Sequence, residues 1–149
     1  MPRVPIERPP NFTNCYGCGA DNARGLALSF FREDDAVVAT FIPSSEHGGY
    51  GRLLHGGVTA TLIDEAFGWG LYSLLGKIGI TTTLTIEFSG RLLCGEPITV
   101  SGTIVTSDDK EAELRAVLTD ARGAVAATGT GRMRYVSQRA IERIGNFQG

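Results

Sequence analysis

In this 149-residue chain, the residues best suited to catalysis or ligand binding lie in one segment. A histidine is followed directly by two glycines, and an acidic residue comes nine positions after the histidine. His55, Gly56 and Gly57 come directly before a run that favours a helix from Val58 onward. The first N–H groups of a helix lack intrahelical partners and carry partial positive charge, and glycine lets a ligand approach them closely. We therefore expect these N–H groups to bind an anion or a polarised carbonyl oxygen.

Two adjacent acids, Asp64 and Glu65, follow on the same predicted helix. Neighbouring residues point about 100° apart on a helix, so the two carboxylates have different surroundings. Asp64 shares its face with small and apolar residues, among them Phe67, and a carboxylate in such a place is the better catalytic candidate. The alternative is an acid that only complements the helix dipole. Glu65 falls on a more polar face and is expected to be partly exposed near a dimer seam, with substrate contact as its alternative.

The distance between the glycines and Asp64 favours a site made by two copies of the chain. Gly57 and Asp64 are seven residues apart, or about 10 Å along a helix that rises 1.5 Å per residue. A reacting carbonyl needs its oxyanion donors and its base at about 3 Å. We therefore predict a symmetric dimer in which one subunit supplies the glycine N–H and the other the carboxylate.

Strand patterns surround the helix. After Gly76 the period changes to two, which places Leu84, Ile86 and Phe88 on one face of a strand. Further strands are predicted at residues 98–106, 111–119 and 124–135, and a β-hairpin around Asp34 and Asp35. A long apolar helix then has only an antiparallel sheet to pack against, so we predict an α+β fold whose sheet curls around that helix.

The composition fits one globular domain: 42% of the residues are hydrophobic, 20% are charged, and the net charge is -2. Scattered Lys and Arg residues indicate no nucleic-acid partner and no membrane-binding face. The start of the chain lacks the apolar core of a signal peptide, and no run approaches the roughly 20 apolar residues of a membrane span. We therefore expect a cytoplasmic protein.

The cysteine spacing in the sequence suggests neither a disulfide framework nor a metal site. Cys15 and Cys18 are spaced as CxxC, but a zinc ribbon needs a second pair and only Cys94 remains. A thioredoxin-type motif needs a βαβ context that is missing. We expect no metal, and we interpret the segment as a tight loop whose cysteines fill small buried spaces.

Each of the two histidines, His47 and His55, has two possible roles, one structural and one in ligand binding. His47 lies in a glycine-rich loop, residues 43–52, and is expected in solvent, with ligand contact as the alternative. His55 is expected to hold its turn by hydrogen bonds, with substrate contact as the alternative.

From Cys15 to Tyr135 the chain resembles the hotdog-fold thioesterases, specifically the PaaI-like branch of the 4-hydroxybenzoyl-CoA thioesterase family. The family pattern is HGG, an acid nine positions after the histidine, and a threonine or serine that opens the next strand. His55, Asp64 and Thr81 meet this pattern, and the segment CYGCGADNARGL is also similar to that branch.

The resemblance implies a hotdog fold, a long central helix wrapped by a curved antiparallel sheet, in homodimers that often pair into tetramers. On this basis we divide the chain into an N-terminal arm with the CxxC loop (1–25), a hotdog thioesterase domain (26–136) and a C-terminal tail (137–149). The active site would lie at the subunit interface.

The resemblance also implies an activity, the hydrolysis of a medium-chain, long-chain or aromatic acyl-CoA to the free acid and CoA. The Gly56 N–H, with Gly57, would polarise the thioester carbonyl, Asp64 would be nucleophile or general base, and Thr81 would orient the water or the acid. No cofactor and no metal are implied. The residues expected to contact substrate are His55, His47, Glu65, Phe67 and Thr82.

Two other functions use the same features. An acyl-carrier-protein thioesterase would cleave the same thioester on the same phosphopantetheine arm. A non-catalytic hotdog protein would bind acyl-CoA without cleaving it, but the presence of Asp64, the glycines and Thr81 together disfavours that reading.

Overall fold

The computed structural model describes residues 2–9 and 12–145. Within them lie seven strands, two α-helices, a short 3-10 turn (Ser45–His47) and a π-helical turn (Leu71–Leu75). The strands are β1 (Val4–Pro5), β2 (Phe31–Glu33), β3 (Ala36–Phe41), β4 (Ile78–Phe88), β5 (Ile98–Ser107), β6 (Glu111–Thr119) and β7 (Val125–Val136). The helices are α1 (Gly56–Gly70) and α2 (Gln138–Ile144). Parts of the predicted arm and tail, residues 1, 10, 11 and 146–149, lie outside the described residues.

All seven strands form one antiparallel sheet in the order β1-β2-β3-β5-β6-β7-β4. The predicted hairpin around Asp34 is confirmed as β2 and β3. The predicted strands after the helix are confirmed as β4 to β7. Part of the N-terminal arm pairs with β2 as β1 and so extends one edge of the sheet. Because α1 contacts strands β3 to β7, the sheet must curve around it, and the predicted α+β hotdog fold is confirmed.

The helix lies very close to the concave face of the sheet. A methyl group added at Gly129 would come within 2.5 Å of Ile63, and one added at Gly131 within 2.8 Å of the Phe67 ring. Both α1 side chains are fully buried. Close packing at native density leaves no room for a larger residue on these strands. Phe67, expected to contact substrate, is enclosed here, and we assign it to the core instead.

One extra residue interrupts the pairing of β4 with β7. Thr81 pairs with Met133 and Thr83 with Arg132, which leaves Thr82 between them as a β-bulge. The Thr82 hydroxyl donates a hydrogen bond to the Arg132 carbonyl at 3.3 Å. Thr82 is thus exposed and held by its own strand pair.

The bulge changes which residues of β4 face the helix, because side chains alternate with a strict period of two. Before the bulge, Thr81 faces α1 and bonds to Asp64. After it, Ile86 packs against the core and the Phe88 ring lies against Gly56. Without the extra residue, Thr81 and Ile86 would lie on opposite faces.

The tail forms a short helix beyond the sheet. Ser137 caps α2 by accepting a hydrogen bond from the Ala140 N–H at 3.1 Å, and α2 buries no residue. In the part of the chain that the structure describes, no helix combines the length and apolar character needed to cross a bilayer.

Candidate active site

The HGG turn begins α1 and leaves one backbone donor free. His55 is the N-cap residue, and its Nδ1 accepts a hydrogen bond from the Gly57 N–H at 2.9 Å. The backbone N–H of His55 donates to the His47 carbonyl at 2.9 Å, which fixes the turn against the preceding loop. Among the described residues, the exposed Gly56 N–H has no hydrogen-bond partner. The helix N-terminus therefore presents the Gly56 N–H to a ligand.

Asp64 lies two turns further along the helix and is held by Thr81. The Thr81 hydroxyl donates a short hydrogen bond of 2.5 Å to Asp64 Oδ1. This bond fixes the orientation of the carboxylate, and it exists because the β4 bulge turns Thr81 towards α1. Gly56 and Asp64 are eight residues apart on one helix, or about 12 Å at 1.5 Å per residue. One carbonyl therefore cannot contact both groups of the same chain.

A cavity of about 220 Å³ opens beside Asp64. Its apolar wall includes Trp69, whose ring meets the Tyr72 ring edge-on with centroids 6.0 Å apart. Lys77 also lines the cavity, and its Nζ lies 5.6 Å from the centre of the Tyr135 ring. A pocket with apolar walls and a few polar groups is typical of a small-molecule site.

Glu65 is partly exposed, as expected, and lies on the cavity wall beside the CxxC loop. Its Oε1 is 3.3 Å from Cys15 Sγ, and the Cys18 N–H donates to Cys15 Sγ at 3.5 Å. A methyl group at Gly17 would lie 2.2 Å from the Glu65 carboxyl carbon, so the glycine makes room for the carboxylate. Sequence reasoning missed this contact, because its partners are 50 residues apart and no motif joins them.

The ionisation of this cluster is unusual. Hydrogen bonding to Cys18 lowers the pKa of the Cys15 thiol to about 5, and the same contact raises the pKa of the Cys18 thiol. Burial raises the pKa of Glu65 to about 7, and the negative charge of Cys15 adds to the effect.

His47 belongs to the loop that supports the HGG turn. Its Nδ1 accepts a hydrogen bond from the Ser44 N–H at 3.0 Å. Its ring packs edge-on with the Phe41 ring, and the two ring centroids are 5.3 Å apart. These contacts assign a structural role to the side chain. Neither His47 nor Thr82 is among the described residues that line the cavity beside Asp64.

Known proteins share this fold and part of this sequence. Residues 51–127 match the family model of the thioesterase superfamily. A crystal structure of a thioesterase superfamily protein has a TM-score of 0.76 and 24% identity, and the match covers 82% of this chain and 60% of that one. A Streptococcus pneumoniae hypothetical thioesterase solved with coenzyme A has a TM-score of 0.69 and 23% identity, over 74% of this chain and 87% of that one.

Two further matches complete the comparison. Escherichia coli PaaI, from the phenylacetic acid degradation operon, has a TM-score of 0.68 and 17% identity, over 73% of this chain and 83% of that one. At these identities the structures establish the shared fold. An uncharacterised Schizosaccharomyces pombe protein is 34% identical over 58 residues, which are 38% of this chain and 33% of that protein. The chain thus spans about a third of that relative.

The His55 cap gives a prediction about stability. Replacing His55 by Ala removes the acceptor of the Gly57 N–H and should lower the free energy of unfolding by about 0.5–2 kcal/mol. His55→Asn offers another capping acceptor and should retain most of the stability. Denaturant unfolding at one fixed protein concentration measures both, and equal stability of the Ala variant and the wild type would remove the capping role.

Proposed function

This chain belongs to the thioesterase superfamily, and we propose that it hydrolyses acyl-CoA thioesters to the free acid and CoA. The observation that carries the proposal is the Thr81–Asp64 hydrogen bond beside an apolar cavity. The bond orients a carboxylate where an acyl group would enter. Coenzyme A in the similar Streptococcus pneumoniae structure and acetyl-CoA in one from Streptococcus mutans support CoA as the carrier.

The chemistry requires an acid and an oxyanion donor. In our proposal Asp64 removes a proton from water as the water attacks the thioester carbonyl, or attacks the carbonyl itself to form an anhydride that water then hydrolyses. The negative charge that develops on the carbonyl oxygen is stabilised by the Gly56 N–H. In both routes the C–S bond breaks when the oxyanion collapses, and CoA leaves as a thiolate that takes up a proton. In the second route this step forms the anhydride, before water hydrolyses it. Thr81 keeps the acid in position throughout.

We infer that each active site combines Gly56 of one subunit with Asp64 of another. The two groups lie about 12 Å apart along one helix, so a single chain cannot bring both to the same carbonyl. The outer edge of β4 pairs with no other described strand, and it carries Ile80 and Phe88 at 52% and 59% exposure. An open edge with apolar residues favours pairing with a second copy.

The cavity gives the proposal its substrate class. Trp69 and Tyr72 form an aromatic wall, and such a surface favours a medium-chain, long-chain or aromatic acyl group. Lys77, at the same cavity, is a candidate contact for the CoA phosphates.

The first prediction concerns the acid. Asp64→Asn should lower turnover at least about a hundredfold, because a typical general base contributes that much, while the fold remains intact. Free-thiol release from short-chain, long-chain and aromatic acyl-CoAs measures it. The matched control is Asp35→Asn, which changes an exposed acid in the β2–β3 turn and should have no effect.

The same assay separates the alternatives. If the wild type cleaves only acyl-carrier-protein thioesters, the carrier in our proposal is wrong. If it binds acyl-CoA but releases thiol from no thioester, the chain is a binding protein. Full activity of Asp64→Asn would remove the catalytic role of this acid.

The second prediction concerns the oxyanion donor. Gly56 occupies the first helical position, where proline is favoured, and His55 before it has extended backbone angles of -61° and 134°. Gly56→Pro therefore removes the free N–H without breaking the helix, and it should lower kcat about 10²–10³-fold.

Gly56→Ala is the matched control, because it keeps the N–H. Its added carbon would lie 3.6 Å from the Phe88 ring, an ordinary contact. It should therefore retain far more activity than the proline variant. Equal losses in the two variants would indicate that the N–H is not the donor and that the position acts only through its size.

The third prediction tests the shared site. When Gly56→Pro and Asp64→Asn chains are co-expressed, half of randomly formed dimers are mixed and hold one intact site of two, so activity should recover to about a quarter of wild type. Purification through two different affinity tags isolates the mixed dimers. Activity no higher than that of the separate variants would mean that both groups act within one chain.

A further inference from the structure

Three side chains with metal-binding atoms converge on the wall of the cavity that also holds Asp64. Cys15 Sγ, Cys18 Sγ and a Glu65 carboxylate oxygen all lie within 4.8 Å of one another. Cys18 is 3% exposed, and Cys15 and Glu65 are partly buried on the cavity wall. The CxxC loop comes from one part of the chain and Glu65 from α1, so the fold itself assembles the group.

The cluster lacks a basic partner in the described part of the chain. The ion pairs found there join Arg3 to Glu33 and Arg52 to Glu96. The nearby Lys77 is directed over the Tyr135 ring. Buried acidic groups are normally paired with a cation or bound to a metal ion, and the described residues offer Glu65 and the two thiols no ion pair.

The loop is shaped around these atoms. Besides Gly17, which makes room for the carboxylate, Gly19 is packed so tightly that an added carbon would lie 2.5 Å from the Cys15 backbone N and O. The Cys18 N–H points at Cys15 Sγ, a contact that stabilises a bound thiolate. A disulfide between the two cysteines would need no carboxylate, whereas the structure brings one to 3.3 Å from a sulfur atom.

The separation of the Cys15 and Glu65 ligand atoms is compatible with a tetrahedral ion. Zinc lies about 2.3 Å from thiolate sulfur and about 2.1 Å from carboxylate oxygen, which corresponds to an S···O separation of about 3.6 Å. The observed 3.3 Å between Cys15 and Glu65 is close to this value. Two sulfur ligands favour zinc over the oxygen-seeking magnesium and calcium ions.

We propose that Cys15, Cys18 and Glu65 together bind one divalent transition-metal ion, with zinc as the physiological metal by ligand type. A water molecule or a ligand group from the cavity would supply the fourth position. The ion would tie the N-terminal loop to α1 at the residue next to Asp64. The sequence alone disfavoured a metal because a second CxxC pair is missing, and the fold supplies the third ligand instead.

The experiment uses the full chain and the metal alone. The protein is reduced, stripped with a chelator and titrated with Co²⁺, which gives a near-ultraviolet absorption band when thiolates bind it. We expect saturation at one equivalent and loss of the band when Zn²⁺ is added. Cys15→Ser and Cys18→Ser should abolish the band. Glu65→Gln should weaken binding at least about tenfold, because the loss of even an outer-shell partner of a metal ligand typically weakens binding about 10–100-fold.

Cys94→Ser is the matched control, because the buried Cys94 thiol lies outside the cluster. The Co²⁺ band of this variant should equal that of the wild type. Circular dichroism verifies that each variant is folded. As a second measurement, Zn²⁺ should raise the Tm of the wild type and of Cys94→Ser but not of the cluster variants.

Three results would overturn the proposal. They are no thiolate band in the reduced wild type, a band that survives in the Cys15 and Cys18 variants, and a Glu65→Gln variant that binds Co²⁺ as tightly as the wild type. A reduced protein that takes up no Co²⁺ and readily forms a Cys15–Cys18 disulfide would identify a redox pair instead. None of these readouts uses thioester cleavage, so they are independent of the proposed hydrolase activity.

Discussion

The close packing of α1 against the concave sheet fixes the rotation of the helix, and the positions of the polar groups depend on that rotation. Ile63 and Phe67 lie against Gly129 and Gly131, where larger strand residues would not fit. Turning the helix by one residue, about 100°, would move these side chains out of the core and bring polar ones in. Burial of two large side chains, about 1.5–3 kcal/mol each, therefore holds the orientation.

With that orientation fixed, the two neighbouring acids of α1 enter different surroundings on one cavity. Asp64 meets the hydroxyl of Thr81, while Glu65 meets the thiol of Cys15. Burial beside that sulfur raises the pKa of Glu65 to about 7. The side chains of two adjacent residues thus have different partners. Asp64 is oriented by a hydroxyl group, whereas Glu65 lies beside sulfur atoms.

The sequence predicts much of the fold and only part of the site, for physical reasons. The helix and the later strands follow from periodicity, which is a local property. The inward position of Thr81 depends on a one-residue bulge in β4, and alternation in the sequence does not show where an extra residue falls. The contact between Glu65 and the CxxC loop depends on tertiary packing, so the spacing of the cysteines alone could not predict it.

The fold also supports our proposal that the active site combines two chains. A helix N-terminus provides donors only in its first turn, so the Gly56 N–H is tied to one end of α1. Asp64 must lie where β4 can reach it, because Thr81 orients it. Both positions are set by the packing of α1 and cannot approach each other without unfolding the helix. The open β4 edge lies near both of them, since the Phe88 ring is next to Gly56 and the Thr81 hydroxyl bonds to Asp64. A second subunit that pairs along this edge would bring its own donor and acid to the two incomplete halves.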